Sequence, residues 1–260
     1  IEDFDGEYYG NGYTISDIMI YGNATACGKT NDLTMAGLFA SAYNASIINV
    51  KVLNAAVYAA NQATYVGGIV GYADTTILSG NTFQGYIYSY GSPNLVNIGG
   101  IVGEAIDCEV TDNTVAGYIK TEAYGVYAGG IIGSFDAVAT RPEISVIISG
   151  NRSFVEITAI GQAASSAGGV VGHVGTIEPY DREDSINTYL KNGIYLNGTI
   201  VSNSVGNFTD NTGSMTYDQY STMGGELINL VKTRVMKMYL LPSGIDGTAS
   251  KPIVITNYRQ

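Results

Sequence analysis

Apolar residues alternate with small polar ones at period two along a series of short runs, the periodicity of strands. Gly80-Asn81-Thr82-Phe83-Gln84-Gly85-Tyr86-Ile87 is one such run, and Asp112-Asn113-Thr114-Val115-Ala116-Gly117-Tyr118-Ile119 is a second. Gly150-Asn151-Arg152-Ser153-Phe154-Val155-Glu156-Ile157 is a third, delayed by an insertion that holds Arg141-Pro142. Each opens on a Gly-Asn or Asp-Asn corner, whose residues tolerate positive φ. Between these runs a second segment recurs. It reads Val66-Gly67-Gly68-Ile69-Val70-Gly71-Tyr72, then Gly99-Gly100-Ile101-Val102-Gly103, Gly129-Gly130-Ile131-Ile132-Gly133 and Gly168-Gly169-Val170-Val171-Gly172. Ala36-Gly37-Leu38-Phe39-Ala40 is a degenerate earlier copy. The second glycines are 31, 32, 30 and 39 residues apart.

Self-similarity at this period is the signature of a repeat architecture. One unit of a few short strands cannot bury its own apolar side, whereas stacked units can, with strands of successive units about 4.8 Å apart. The pattern therefore predicts an all-β fold, a β-solenoid or β-helix of about six to seven coils. The glycine-doublet segment is expected to be a strand buried on both sides, its glycines admitting neighbouring backbones. A Gly-x-Gly phosphate cradle needs a strand running into a helix, and no helical pattern follows any copy. Ile15, Ile18, Ile20, Ile47, Val50, Val52 and Val57 are inward candidates.

Residues 1–225 read as the repeat domain and 226–260 as a C-terminal capping segment. Within Gly225–Leu241, Leu227, Leu230, Val231, Arg234, Val235 and Met238 sit at i, i+3, i+4 spacings that favour a short helix, although alternation over 231–239 also permits a strand. Lys251–Tyr258 reads as a last strand. The chain opens inside the first repeat without an amphipathic helix, so an uncapped end with unpaired backbone groups is expected to invite another chain.

The opening residues sharpen this picture. Phe4, Gly6, Tyr8 and the run Gly10-Asn11-Gly12-Tyr13-Thr14-Ile15-Ser16, followed by Gly37-Leu38-Phe39 and the Gly-Gly-Ile-Val-Gly copies, resemble the GLUG-repeat proteins over roughly residues 4–175. That resemblance implies a β-helical or solenoid fold and a secreted or cell-surface, often adhesin-like protein. It implies no catalytic residue.

Composition narrows the function classes. Only 13 % of residues are charged, 45 % are hydrophobic, and Gly (34) and Tyr (21) are abundant, a balance that argues against disorder. The net charge of −11 with 12 Lys and Arg excludes the clustered cations that nucleic acid requires. No apolar stretch approaches the ~20 residues of a membrane-spanning helix. An extracellular or cell-surface location is expected, with self-association through end coils or faces, or a surface glycan or protein ligand.

Candidate chemistry is sparse. His173, the only histidine, occupies the repeat position of Tyr72 and Glu104, which turns outward; a surface or corner role is expected. Cys27 and Cys108 are expected to be unpaired or paired between molecules, or else to be small core residues. Asp181, Glu183 and Asp184 are candidate Ca²⁺ ligands on a polar loop, without the glycine-bounded spacing of a calcium loop. Asn23, Asn44, Asn151, Asn197 and Asn207 open Asn-x-Ser/Thr sequons and are candidate glycosylation acceptors in an exported chain. No cofactor is implied. The function expected is a non-catalytic extracellular structural or adhesin-like module that assembles into a layer, sheath or fibre. The alternative is a β-helical polysaccharide-degrading enzyme with the acidic loop at its site. Against that alternative, the regular coils carry almost no acidic residue at a repeated phase.

Overall fold

A computed structural model of the chain describes residues 1–23, 34–60, 63–137, 147–175, 187–190, 193–204, 206 and 214–215. Each repeat contributes a similar set of strands. The first holds β1 (Glu7–Tyr9), β2 (Thr14–Ser16), β3 (Met19–Asn23) and β4 (Thr34–Ala36). The second holds β5 (Phe39–Tyr43), β6 (Ser46–Ile48), β7 (Lys51–Ala60) and β8 (Ala63–Gly67). The third holds β9 (Val70–Asp74), β10 (Ile77–Ser79) and β11 (Thr82–Gly99), and the fourth β12 (Val102–Ile106), β13 (Glu109–Thr111) and β14 (Thr114–Gly129). The fifth holds β15 (Ile132–Asp136), β16 (Ile147–Ser149) and β17 (Arg152–Gly168). Then come β18 (Val171–Val174), β19 (Thr188–Leu190), β20 (Ile194–Leu196), β21 (Thr199–Ile200) and β22 (Ser214–Met215).

Strands one repeat apart pair in parallel and build three sheets. Sheet I runs β5-β9-β12-β15-β18, and sheet II runs β1-β6-β10-β13-β16. Sheet III runs β2-β7-β11-β14-β17-β19-β22, with β3, β4, β8 and β20 attached beside that path. The antiparallel β20–β21 hairpin is the exception among the described pairings. The fold is all-β, with no helix among the described residues, and its parallel sheets suit a β-helix or solenoid.

The period-two pattern places one apolar column on the inner side of every strand. In sheet II, Tyr8, Ile47, Leu78, Val110 and Ile148 are in register. In sheet III, Ile20, Val57, Ile87, Ile119, Ile157 and Ile194 are in register. From Ile47 and Val57 onward these side chains are buried in one continuous core, each contributing about 1.5–3 kcal/mol. Of the expected core residues, Ile47, Val50, Val52 and Val57 are fully buried, while Ile15, Ile18 and Ile20 pack partly buried at the first repeat.

Two corners turn the chain within each repeat. Between sheets I and II, Asn44, Thr75 and Asp107 take positive φ, and the next residue (Ala45, Thr76, Cys108) is buried. Between sheets II and III, Asn49, Gly80, Asp112 and Gly150 take positive φ at one repeat position. There the Asn49 side chain reaches over Gly80 and the Asp112 side chain over Gly150, so a Cβ on either glycine would strike the amide or carboxylate oxygen. The residue after this corner forms a buried asparagine ladder. The Oδ1 atoms of Asn81, Asn113, Asn151 and Asn187 accept from the backbone N–H of Val50, Asn81, Asn113 and Asn151 at 2.9–3.0 Å. Their Nδ2 groups donate to the carbonyls of Ile47, Leu78, Val110 and Ile148 at 2.8–3.0 Å.

The glycine-doublet segment differs from its expectation as one strand. In each copy the second glycine and the residue after it form a bend that carries the chain from sheet III into sheet I. The reason is steric. The second glycine faces the core, and a Cβ on Gly68 would sit 2.5 Å from the Phe83 ring, one on Gly100 2.5 Å from Val115 Cγ1. The outer glycines abut backbone: a Cβ on Gly71 would lie 2.6 Å from the Ala40 carbonyl oxygen of the preceding repeat, and one on Gly67 would strike the Val70 carbonyl across the bend. The helix and strand expected in 226–260 lie outside the described residues.

Candidate functional site

Because the chain folds back at each glycine bend, outward side chains on its two sides converge into a seam running across the repeats. On the sheet III side the column is Tyr65, Asn97, Tyr127 and Ser166, each three residues before the second glycine. On the sheet I side it is Ser41, Tyr72, Glu104, Ser134 and His173, each four residues after it. Next to that column stand Tyr43, Asp74, Ile106 and Asp136.

The two columns touch. Tyr72 packs on Tyr65 at 5.3 Å and on Tyr43 at 5.7 Å between ring centroids, both tilted. Asn97 Nδ2 donates to Glu104 Oε2 at 2.7 Å. Tyr127 stacks flat on His173, centroids 3.9 Å apart and 7° between planes. Ser166 Oγ donates to the Gly172 carbonyl at 2.8 Å.

Half-burial and crowded acids set the electrostatics of the seam. Burial pushes the Tyr65 phenol up to about 12, helped by the negative charge of Glu104 and by the hydrogen bond Tyr65 makes to it. Tyr72 is raised well above the ordinary phenol value by burial, then by Asp74 and Glu104. Burial also raises the Glu104 carboxyl; the Asn97 hydrogen bond opposes this and Asp136 adds to it. His173 is lowered by burial, with Asp136 opposing. Its Nδ1 is buried without a hydrogen-bond partner, so nothing orients the ring through that atom as a general base would require, although Ser134 is its register neighbour.

A second aromatic surface covers the outer side of sheet III. Tyr21, Tyr58, Tyr88, Lys120, Thr158 and Tyr195 share one register row. Tyr86 and Tyr88 stack at 5.9 Å, Tyr88 and Tyr90 at 5.3 Å, and Tyr58 meets Tyr86 edge-on at 5.8 Å. Lys120 Nζ lies 5.6 Å from the Tyr88 ring centre. Tyr58 and Tyr86 are buried in this cluster, while Tyr88, Tyr90 and Tyr118 stay partly exposed.

The candidates read from sequence fall at different places. His173 does face outward at the position of Tyr72 and Glu104, but it is half-buried under Tyr127. Cys108 is a free, fully buried corner residue whose thiol burial pushes up to about 12, and its Sγ donates to the Ile106 carbonyl at 3.1 Å. Pairing of Cys108 between folded molecules is thereby excluded; Cys27 lies outside the described residues. Asn151 is a rung of the buried ladder, with Nδ2 held by the Val110 carbonyl and Asn187 Oδ1, so the folded chain offers that sequon no acceptor. Asn197 is exposed, but its amide is bonded on both sides to the Gly161 backbone at 2.9 Å. Asn44 is exposed at its corner, and Asn23 ends β3. Asn207, Asp181, Glu183 and Asp184 lie outside the described residues. Among the described residues no three His, Cys, Asp or Glu side chains are grouped to hold a metal ion, and no helix is long and apolar enough to cross a membrane.

Sequence reasoning missed the seam. Its signal was present as phase: Asp74 and Asp136 each stand six residues after a second glycine, with Glu104 in the adjoining column. Two acidic residues thus share one phase, while Tyr43, Ile106 and Gly175 hold it in the other copies.

Fold and site together define an all-β protein of stacked parallel sheets whose polar and aromatic side chains are ordered in columns along its outer surface. No family model, curated protein or solved structure matches the chain.

Proposed function

We infer that the chain is the body of a β-solenoid that works through its outer walls, as an exported, non-catalytic surface module. In this reading it self-associates into a layer, sheath or fibre, or grips a surface ligand in the manner of an adhesin. The observation that carries the reading is the outer wall of sheet III, where Tyr58, Tyr86, Tyr88, Tyr90 and Tyr118 gather from three successive strands with Lys120 over Tyr88. Tyrosine is enriched at protein interfaces because its ring gives area and its hydroxyl a polar handle. With only 13 % of residues charged, few ionic groups are desolvated when identical walls pack, and salt that screens the net charge of −11 is expected to strengthen assembly. The one-repeat parallel register in all three sheets supports the solenoid, and the opening motif with its glycine-doublet copies supports a GLUG-like, cell-surface setting.

Sedimentation velocity and negative-stain micrographs over a wide concentration range test this. The reading expects concentration-dependent assembly that weakens when Tyr88 and Tyr118 are both changed to Ser, with the circular dichroism of each variant unchanged. Protein that stays monomeric at every concentration, salt and pH tried overturns the assembly reading.

A further inference from the structure

The centre of the seam holds one buried acceptor without a donor, beside a carboxylate. Glu104 takes the Asn97 amide and the Tyr65 hydroxyl as donors. Asn97 is only 4 % exposed, and its Oδ1 is buried with no hydrogen-bond partner. A buried amide oxygen in that state costs free energy that a donor would recover. Flipping the amide offers no escape, because Oδ1 would then face the Glu104 carboxylate. The strands that line the seam (β5, β8, β9, β12, β15 and β18, with residues 95–99 of β11 and 125–129 of β14) contain no Lys or Arg. The surrounding field is negative, since Asp136 acts on Glu104 and Asp74 on Tyr72. Tyr72, in contact with both Tyr65 and Tyr43, adds aromatic ring faces next to the carboxylate.

A guanidinium matches this set better than any other cation in a polypeptide. It is planar, so it stacks on a tyrosine ring, and it carries five N–H donors, enough for both carboxylate oxygens and an amide oxygen together. An ammonium is a compact, more strongly hydrated point charge that gains less from a ring face and a fork of acceptors. We propose that Glu104, Asn97 and the Tyr65–Tyr72 pair form a recognition site for an arginine side chain of a partner polypeptide. The site goes beyond wall-to-wall assembly, because it lies on the seam and not on the sheet III wall.

The test is calorimetric titration of the full chain with acetyl-Gly-Arg-Gly-amide, against the same peptide with citrulline, a neutral isostere, or with lysine. Saturable binding of the arginine peptide is expected, at least tenfold tighter than either comparison peptide and weakened by added salt. Glu104→Gln keeps the shape and lowers affinity at least tenfold, with an unchanged melting curve. Glu109→Gln removes a carboxylate from sheet II, away from the seam, and leaves affinity within about twofold, so the loss in Glu104→Gln is not a general effect of charge. Absence of saturable binding, equal affinity for citrulline or lysine, or an unaltered affinity in Glu104→Gln overturns the proposal. Sedimentation of the same samples keeps this outcome separate from the assembly reading, which stands or falls on the Tyr88 and Tyr118 variants.

Discussion

At the scale of single residues, the interior is not uniformly apolar. Ser89 and Thr121 are register neighbours in sheet III, fully buried, with hydroxyls that find no partner. An unsatisfied buried hydroxyl costs roughly 1–3 kcal/mol, and an apolar group of the same shape removes that cost. Thr121→Val is therefore expected to raise stability by about 1 kcal/mol, read from the midpoint of urea unfolding at unchanged slope.

The seam residues make stability depend on pH with opposite signs. His173 has a folded pKa below its unfolded value of about 6.5, so its contribution is present above that pH and is lost as pH falls through the lower folded value. Glu104 has a raised folded pKa, so its contribution is full below the ordinary carboxylate range and is lost as pH rises through the folded value. Stability measured from pH 8 to pH 4 is expected to fall less in His173→Gln than in the parent. Glu104→Gln is expected to lose the compensating gain at the acid end and to be at least as stable as the parent at neutral pH.

At the scale of elements, two devices make the repeat. The asparagine ladder satisfies backbone groups at a corner where strand pairing stops. Asn113→Ala strands the Asn81 N–H and the Leu78 carbonyl inside the protein, and should cost about 3 kcal/mol or more in chemical unfolding. The glycine bend brings two backbones together. Gly100→Ala places a methyl against Val115 and the Gly130 carbonyl, and a loss of about 2 kcal/mol or more is expected from the same measurement.

These two elements also mark what the sequence could reveal. Asn81, Asn113 and Asn151 stood out as corner residues by composition, but their side chains were legible only as turn formers. The amide of each reaches the repeat before it, a contact that period-two patterning does not encode. The glycine doublets were read as strands because glycine and apolar runs occur in both strands and bends. What separates the cases is which atoms a Cβ would meet, and that depends on neighbouring repeats. The seam stayed hidden for the same reason: Asn97 and Glu104 are seven residues apart, and only the bend between them makes them partners.

At the scale of the whole molecule, the fold class was legible because the period survives from Gly37 to Gly172, and each repeat must bury its apolar side on the next. The outward columns follow from the same register, which turns one favourable side-chain contact into a row of them. Any function carried by the walls or the seam therefore depends on that alignment.

Pulsed electron resonance between nitroxides on the outer side of sheet II tests it most directly. Glu7, Ser46, Ile77, Glu109 and Ile147 occupy one column, one repeat apart. With strands about 4.8 Å apart, backbone separations of roughly 14 Å for Glu7 to Glu109 and roughly 19 Å for Glu7 to Ile147 are predicted. Narrow distributions in that order, in a background with Cys27 and Cys108 replaced, agree with the account. Broad distributions, or a Glu7–Glu109 distance longer than Glu7–Ile147, contradict it.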